Sequence, residues 1–335
     1  MFIVQNYYLA VALCFVTMLC WGSWGNTQKL AAKTWRYELY YWDYVLGMLL
    51  FSILLGFTLG SIGEQGRSFI EDLLQVEGRN FWSAFAGGVV FNASNILLAA
   101  AISISGMSVA FPLGVGLALV LGVLINYISA PKGDPVLLFV GVFAVVLAII
   151  FNGIASGRMS QGRDKSAARK GVWIAISAGV LMSLFFRFVA SAMDLNNFES
   201  PKAGKATPYT AFFIFSIGVL ASNFIFNTLV MKKPFMGAPV SYKDYFRGKL
   251  PTHLVGLLGG AIWGLGSALS YIAAGKAGAA ISYGLGQGAT LIAALWGVFI
   301  WKEFKGAHKS TNLLLLLMFL LFASGLFLII LSGGN

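Results

Sequence analysis

The sequence predicts an all-α integral membrane protein of ten transmembrane helices, and its composition gives the first support. Of the 335 residues, 58% are hydrophobic and only 10% are charged, a balance unlike that of soluble domains. Several uncharged apolar runs, such as residues 254–274, reach the roughly 20 residues that are needed to cross a bilayer. The 40 glycines are typical of helices that pack closely in lipid.

The first apolar run, residues 2–28, is interpreted as the first helix and not as a cleaved leader. It is too long for a leader, lacks a basic start and is followed by many more apolar runs. The other helices are bounded by charged residues, proline or glycine. The ten predicted helices are 7–30, 39–61, 81–103, 107–128, 136–156, 171–193, 209–231, 253–274, 279–300 and 312–331.

Lysine and arginine are concentrated in alternate loops, among them 157–170 and 232–250. Because these residues accumulate on the cytoplasmic side, both loops are predicted to face the cytoplasm and both termini to lie outside it, in a cell membrane. The basic residues behind the net charge of +11 are therefore interpreted as setting the orientation of the chain in the membrane. A nucleic-acid-binding protein would present its basic residues on a solvated face, so that class of partner is not expected.

The two halves of the chain resemble each other when one is shifted by 172 residues. Five helices per half is an odd number, which would place the second half upside down relative to the first, a common design of transporters. The predicted organisation is a first repeat at 1–157, a basic linker at 158–170 and a second repeat at 171–335. The matching glycines are Gly87 with Gly259, Gly88 with Gly260, Gly106 with Gly278, Gly114 with Gly286, and Gly116 with Gly288.

Polar residues inside apolar helices are the best candidates for a site near the bilayer midplane, because in hydrocarbon they need partners and usually face a bundle interior or a wet cavity. Gln287 is the strongest candidate, since its carboxamide both donates and accepts hydrogen bonds. An interhelical hydrogen bond is the alternative. The other polar candidates are Asn26, Asn92, Asn95, Tyr271, Tyr283 and Thr290.

Four aromatic residues are candidates for the walls of such a site: Trp21, Trp24, Phe111 and Trp263. A planar heterocycle stacks on aromatic rings, and a sugar lays its apolar face against them. The composition of the pocket therefore leaves both classes of solute open.

Asp43 and Arg187 are the ionisable residues inside predicted spans that are candidates for a functional role. Asp43 is near the cytoplasmic entrance of the second helix, where burial would favour the neutral acid and make it a candidate proton carrier. A solvated carboxylate at a helix N-terminus is the alternative. Arg187 could contact the solute, or its side chain could reach outward to the lipid headgroups.

Other classes of protein find less support. The two histidines, His253 and His308, sit at helix edges without a metal or protease motif, so neither an enzyme nor a cofactor site is expected. No charged ring or carbonyl filter motif of a selective channel is recognisable. Monomer and homodimer both remain open.

Several motifs resemble the drug/metabolite transporter superfamily, on the branch of glucose, ribose and rhamnose uptake proteins, and most closely the plant ureide permeases. Their order and spacing fit along most of the chain. They are WGSWGN at 21–26, YYWDY at 40–44, AGGVVFNASN at 86–95, MSVAFPLGVG at 107–116, INYI at 125–128, YTAFFIFS at 209–216 and GQGATLIAALWGVFIWKEF at 286–304.

The resemblance implies proton-coupled import of small neutral, nitrogen-rich solutes such as allantoin, uracil or nucleosides. It adds weight to Gln287, Asn95 and Asp43, because the family carries the same residue types there. A sugar symporter and a multidrug exporter of the same superfamily are the alternatives. Two departures are Arg187, in a segment that is mostly uncharged in the family, and residues 157–166, where Arg163 occupies the lysine position of the family's phosphate-loop-like stretch.

Overall fold

The computed structural model describes residues 1–159 and 165–333, and these ranges are almost entirely helical. Their only β-type pairing is an isolated bridge between Met193 and Ala206. Within these two ranges, ten helices are long and apolar enough to cross a membrane, which confirms the predicted fold class and number of spans. The helices are α1 Tyr7–Ala31, α2 Tyr37–Phe57, α3 Phe69–Gln75, α4 Gly78–Ser105, α5 Met107–Ser129, α6 Pro135–Met159, α7 Lys165–Ala192, α8 Pro208–Lys232, α9 Tyr242–Phe246, α10 Leu250–Ala277, α11 Ala279–Gln287, α12 Ala289–Leu295 and α13 Lys309–Ser332.

Two short helices, α3 and α9, lie in segments that the sequence assigned to loops. Both are too short for the apolar periodicity that marks a span, but each begins with a capping box, Ser68 with Glu71 and Ser241 with Asp244. These reciprocal hydrogen bonds satisfy backbone N–H groups that the first turn of a helix leaves unpaired.

The ninth span is not one regular helix. Gly288 separates α11 from α12, and a π-helical turn, Trp296–Ile300, follows α12. Helix α7 begins at Lys165, earlier than the predicted start at 171. Of the predicted linker 158–170, residues 160–164 lie outside the described residues.

The ends of the spans form two faces. On the first, which we call the N-terminal face, the Met1 ammonium donates a hydrogen bond to the Gln65 carbonyl at 2.6 Å, and Asp134 N donates to Ser332 O at 2.6 Å. On the other, the opposite face, Arg36 donates to the Met236 carbonyl at 2.8 Å. Both ends of the described chain therefore lie on one face, as an even number of spans requires.

The most extensive contacts between helices come in matched sets. Helix α1 packs on α10 and α4 packs on α7, while α2 packs on α10 and α4 on α8. In the alignment of the two halves, α1 corresponds to α7, α2 to α8 and α4 to α10. The contact of α1 with α10 therefore corresponds to that of α7 with α4, and the contact of α2 with α10 corresponds to that of α8 with α4. The centre of the molecule is thus enclosed by spans from both halves.

Glycines at matching sequence positions have matching surroundings. A Cβ atom on Gly88 would clash with the Phe215 carbonyl oxygen of α8, and one on Gly260 would clash with the Tyr44 carbonyl oxygen of α2. Gly106 and Gly278 form the tight turns α4–α5 and α10–α11 with φ of 85° and 84°, which favours glycine. These glycines let the helices around the centre approach each other closely.

Candidate functional site

A central cavity lies between α1, α4, α5, α7, α10 and the α11–α12 break. Its walls bring together six of the residues that the sequence singled out. They are Trp21, Trp24, Asn95, Phe111, Trp263 and Gln287.

Stacked and tilted aromatic rings form most of this cavity. The rings of Trp21 and Trp263 are stacked, with centroids 5.6 Å apart and an interplanar angle of 10°, and the centroid of the Phe91 ring lies 4.1 Å from that of Trp263. Trp21 Nε1 donates a hydrogen bond to Ser267 Oγ at 3.1 Å, which fixes the indole to α10. The walls therefore present flat, apolar surfaces in fixed orientations.

Two amide side chains supply the polar character of the cavity. Asn95 Nδ2 donates to the Tyr41 hydroxyl at 3.2 Å, and its buried Oδ1 accepts no hydrogen bond within the described residues. Gln287 ends α11 at the break in the ninth span and is only 2% exposed. Among the described residues, no Asp, Glu, Lys, Arg or His lines the cavity, so it offers neutral donors and acceptors.

The central cavity has a very small volume. It holds about 20 Å³ of space for the centre of a water-sized molecule, which corresponds to about one water. A metabolite of several heavy atoms requires the surrounding helices to move apart.

Several predicted residues do not line the cavity but hold helices together. Asn92 Nδ2 donates to Ser222 Oγ on α8 at 3.0 Å, and Asn26 Oδ1 accepts from Trp301 Nε1 at 2.6 Å. Thr290 Oγ1 donates to the Gln287 carbonyl at 3.2 Å. These are the interhelical and local hydrogen bonds that were the alternative interpretation of such residues.

Tyr271 and Tyr283 lie on the N-terminal side of the cavity in a fully buried layer of rings. The Tyr283 hydroxyl donates to the carbonyls of Met182 and Ala118 at 3.0 and 3.2 Å, which ties α11 to α7 and α5. Tyr271 packs against Phe186 with ring centres 5.4 Å apart. The two tyrosines separate the cavity from the N-terminal face.

Arg187 is outside the cavity. Phe185 of α7 lines the central cavity. Arg187 follows two residues later, and side chains two positions apart on a helix point to nearly opposite sides. Arg187 instead lines a separate groove of about 830 Å³ between α4 and α7, together with Arg79 and Lys205.

Asp43 lies in a polar cluster towards the opposite face, away from the cavity. His253 Nδ1 is 2.9 Å from Asp43 Oδ2, and the Tyr245 hydroxyl donates to Asp43 Oδ1 at 2.7 Å. Burial, followed by the hydrogen bond to Asp43, raises the pKa of Tyr245, so this phenol stays protonated as a donor. The carboxylate is thus buried but not isolated.

Sequence reasoning missed some of these neighbours. Phe91 is separated from Trp263 by the same 172 residues that relate the two halves, so the repeat alignment could have identified it. His253 was passed over because it lies at a helix edge, and nothing in its local sequence points to a partner in α2. Tyr245 lies in the unexpected helix α9, so no sequence pattern pointed to it.

Comparison with known proteins places the chain among permeases. The family model described as ureide permease matches residues 40–170 and 158–332. Among the similar proteins is Ureide permease 1 of Arabidopsis thaliana, 25% identical over the full length of both chains. Ureide permease 2 of the same plant is 24% identical over the full length of both, and probable ureide permease A3 of Vigna unguiculata is 22% identical over 90% of this chain and 97% of its own.

The fold also has a counterpart among solved structures. The crystal structure of another protein superposes on this chain with a TM-score of 0.60 at 15% identity, covering 97% of this chain and 98% of the other. The family match along nearly the whole sequence and the ten spans among the described residues identify a multi-pass membrane transporter and not an enzyme. The chain belongs to the ureide permease family.

Proposed function

We propose that this protein is a proton symporter that imports small uncharged polar metabolites, with ureides and nucleobases as the foremost substrates. The observation that carries the proposal is the central cavity, in which flat aromatic walls surround the amides of Asn95 and Gln287. The similar proteins are named ureide permeases, which supports the same class of solute.

The chemistry of the cavity suits a planar ring that carries amide or urea groups. Such a ring stacks against an indole such as that of Trp21 or Trp263, while its N–H and C=O groups pair with neutral side-chain amides. The free Oδ1 of Asn95 is an acceptor for a solute N–H. A solute that failed to pair with it would leave a buried acceptor unsatisfied, which disfavours purely apolar compounds.

Transport through this cavity requires a change of shape, because its present volume excludes a metabolite. The matched contacts of α1 with α10 and of α4 with α7 support two inverted repeats, 1–157 and 171–335, joined by the linker 158–170. In the proposed cycle, the repeats rock against each other and open the cavity to each side in turn. The basic loops support a cytoplasmic position for the opposite face.

Coupling to protons is assigned to Asp43. A carboxylate inside a span is costly unless it is paired or neutral, and residues of this kind often form proton relays. Its contacts with His253 and Tyr245 join α2 to α10 and α9, so protonation would change how firmly these elements are held together. Loss of the proton on one side would then reset the transporter.

The experiment uses purified protein in liposomes with an inward proton gradient. Uptake of labelled allantoin, uracil, a purine nucleoside, glucose and rhamnose is followed, with empty liposomes and a protonophore as controls. We expect a ureide or nucleobase to accumulate above equilibrium and to be released by the protonophore. Accumulation of a sugar alone would show that the substrate is a sugar and not a ureide or nucleobase. Outward movement of a drug dye, without accumulation of any of these solutes, would show that the protein is an exporter.

A further inference from the structure

A second cavity, which we call the chamber, opens at the opposite face. It has about 420 Å³ of space and lies between the end of α1, the turn from α4 to α5, the end of α6 and the segment after the π-helical turn. Its lining is polar and includes Lys29, Ser103, Ser105 and Glu303. It is large enough for a small metabolite, unlike the central cavity.

The chamber and the central cavity follow each other along α1. Trp24 lines the central cavity and Lys29 lines the chamber, five residues further on, which is about 7.5 Å along a helix. Gln28 lies between these levels and is 2% exposed. Its Nε2 donates to the Ala99 carbonyl at 2.9 Å and to Ser103 Oγ at 3.1 Å, so it links α1 to α4 between the two cavities.

On the other side, towards the N-terminal face, the central cavity is closed by a thicker barrier. Phe186 lies 5.3 Å from Tyr283 and 5.4 Å from Tyr271, and Phe212 lies 6.2 Å from Tyr271. All four rings are fully buried. A solute leaving in that direction would have to displace this whole layer. Towards the chamber, the barrier consists of the Gln28 amide, with its two hydrogen bonds, and the buried side chain of Met107, which packs against Gly25.

Among the described residues, the lining of the chamber offers polar atoms and carries no net charge. Ser105 Oγ belongs to its lining, is buried and makes no hydrogen bond within the described residues. The same holds for Oε1 of Gln28, which is outside the lining but whose Nε2 donates to Ser103 of the lining. Lys29 and Glu303 form an ion pair, so their charges balance. These groups suit an uncharged solute with amide or hydroxyl groups, which can pair with both free atoms.

The end of the ninth span, which covers the chamber, is attached to α1 by two hydrogen bonds and an ion pair. Ser23 Oγ accepts a hydrogen bond from Trp296 Nε1 at 3.0 Å, three residues before Asn26, which accepts from Trp301. Lys29, three residues further on, pairs with Glu303. Residues three apart share one face of a helix, so a single face of α1 fastens the end of the ninth span over the chamber.

We propose that the chamber is a second binding site for an uncharged amide-bearing solute, on the route between the central cavity and the opposite face, and that the Gln28 side chain is the gate between them. The identity of the solute rests on the proposed function. The gate opens when the Gln28 amide exchanges its bonds with Ala99 and Ser103 for bonds with the solute.

The gate can be tested without any solute. In a chain whose Cys14 and Cys20 are replaced by alanine, a single cysteine is placed in the central cavity, Leu98→Cys, or in the chamber, Val109→Cys. The rate of reaction with a small charged methanethiosulfonate is measured on the purified protein. We expect Val109→Cys to react fast and Leu98→Cys slowly, and Gln28→Ala to accelerate Leu98→Cys by about tenfold or more, because both hydrogen bonds of the gate are lost.

Asn126→Ala is the matched control, since it removes a buried amide whose one side-chain hydrogen bond among the described residues goes to the Gly122 carbonyl of its own helix. It should leave the Leu98→Cys rate unchanged. Gln28→Met keeps the length of the side chain without its hydrogen bonds and replaces Gln28→Ala if that variant aggregates on size exclusion. Equal Leu98→Cys rates with and without the Gln28 amide would overturn the gate.

Allantoin separates this inference from the proposed function. Saturating allantoin should slow the Val109→Cys reaction by occupying the chamber. If Gln28→Ala accelerates labelling but none of the transport substrates protects Val109→Cys, the chamber is not a solute site. If allantoin is transported while Gln28→Ala has no effect, the proposed function stands and the gate is rejected.

Discussion

Gln287 ends α11 at a break in the ninth span, where its amide is among the few polar groups that line the central cavity. For Gln287→Ala we expect the KM of ureide uptake to rise about tenfold, because a hydrogen bond to a buried solute group is lost. Uptake kinetics in liposomes measure this. Asn126→Ala, which also removes a buried amide, is the control, and an unchanged KM in Gln287→Ala would remove Gln287 from the site.

Asp43 is assigned to proton coupling through its cluster with His253 and Tyr245. Asp43→Asn keeps the size of the side chain but cannot bind and release a proton in the working range of pH. We therefore expect exchange of solute to persist, while accumulation driven by a proton gradient is lost and the rate no longer depends on pH. Accumulation equal to that of the parent protein at every pH would exclude this role.

His253 provides a second test of the same cluster. In His253→Gln the side chain still hydrogen-bonds Asp43 but has lost the basic nitrogen, so we expect the pH dependence of uptake to shift without loss of exchange. Measuring uptake against pH for both proteins decides the point, and identical profiles would show that His253 only positions Asp43.

At the scale of helices, glycines decide how closely the spans around the cavity approach. A Cβ atom on Gly260 would meet the Tyr44 carbonyl oxygen of α2, which cannot yield without moving the helix. We expect Gly260→Ala to lower the free energy of unfolding by roughly 1–3 kcal/mol, and to lower the melting temperature in detergent.

Gly153 is the matched control, because nothing lies within 4 Å of a Cβ atom at that position of α6. Gly153→Ala should leave the melting temperature unchanged or raise it, since alanine favours a helix by up to about 1 kcal/mol over glycine. Equal melting temperatures for Gly260→Ala and Gly153→Ala would show that the α2–α10 approach does not need a glycine.

The extent to which the helices could be predicted follows from their environment. A span must satisfy its backbone polar groups within itself and present apolar side chains to lipid, so both its type and its approximate position are evident from composition. Helices α3 and α9 lie outside the apolar runs and depend on local capping, and the break at Gly288 lies where Met18 of α1 and Leu326 of α13 come close to that glycine. Hydropathy carries no information on these features.

At the scale of the whole molecule, the central cavity was only partly predictable. Polar and aromatic residues in apolar helices identified Trp21, Asn95 and Gln287, because such residues are unusual in lipid. The same signal also selected Asn92, which instead bonds Ser222 between two helices. Only the packing of the spans separates these two outcomes, since both put a polar side chain in the bundle interior.

The central claim is that this cavity recognises an uncharged heterocycle, and counterflow tests it without reference to the coupling ion. Liposomes loaded with unlabelled allantoin are diluted into labelled allantoin, and the transient excess of label inside is recorded for the parent protein, Gln287→Ala and empty liposomes. The account predicts an overshoot with the parent protein that uracil suppresses and that Gln287→Ala diminishes. An absent overshoot for allantoin and uracil, with one for glucose or rhamnose, would contradict it.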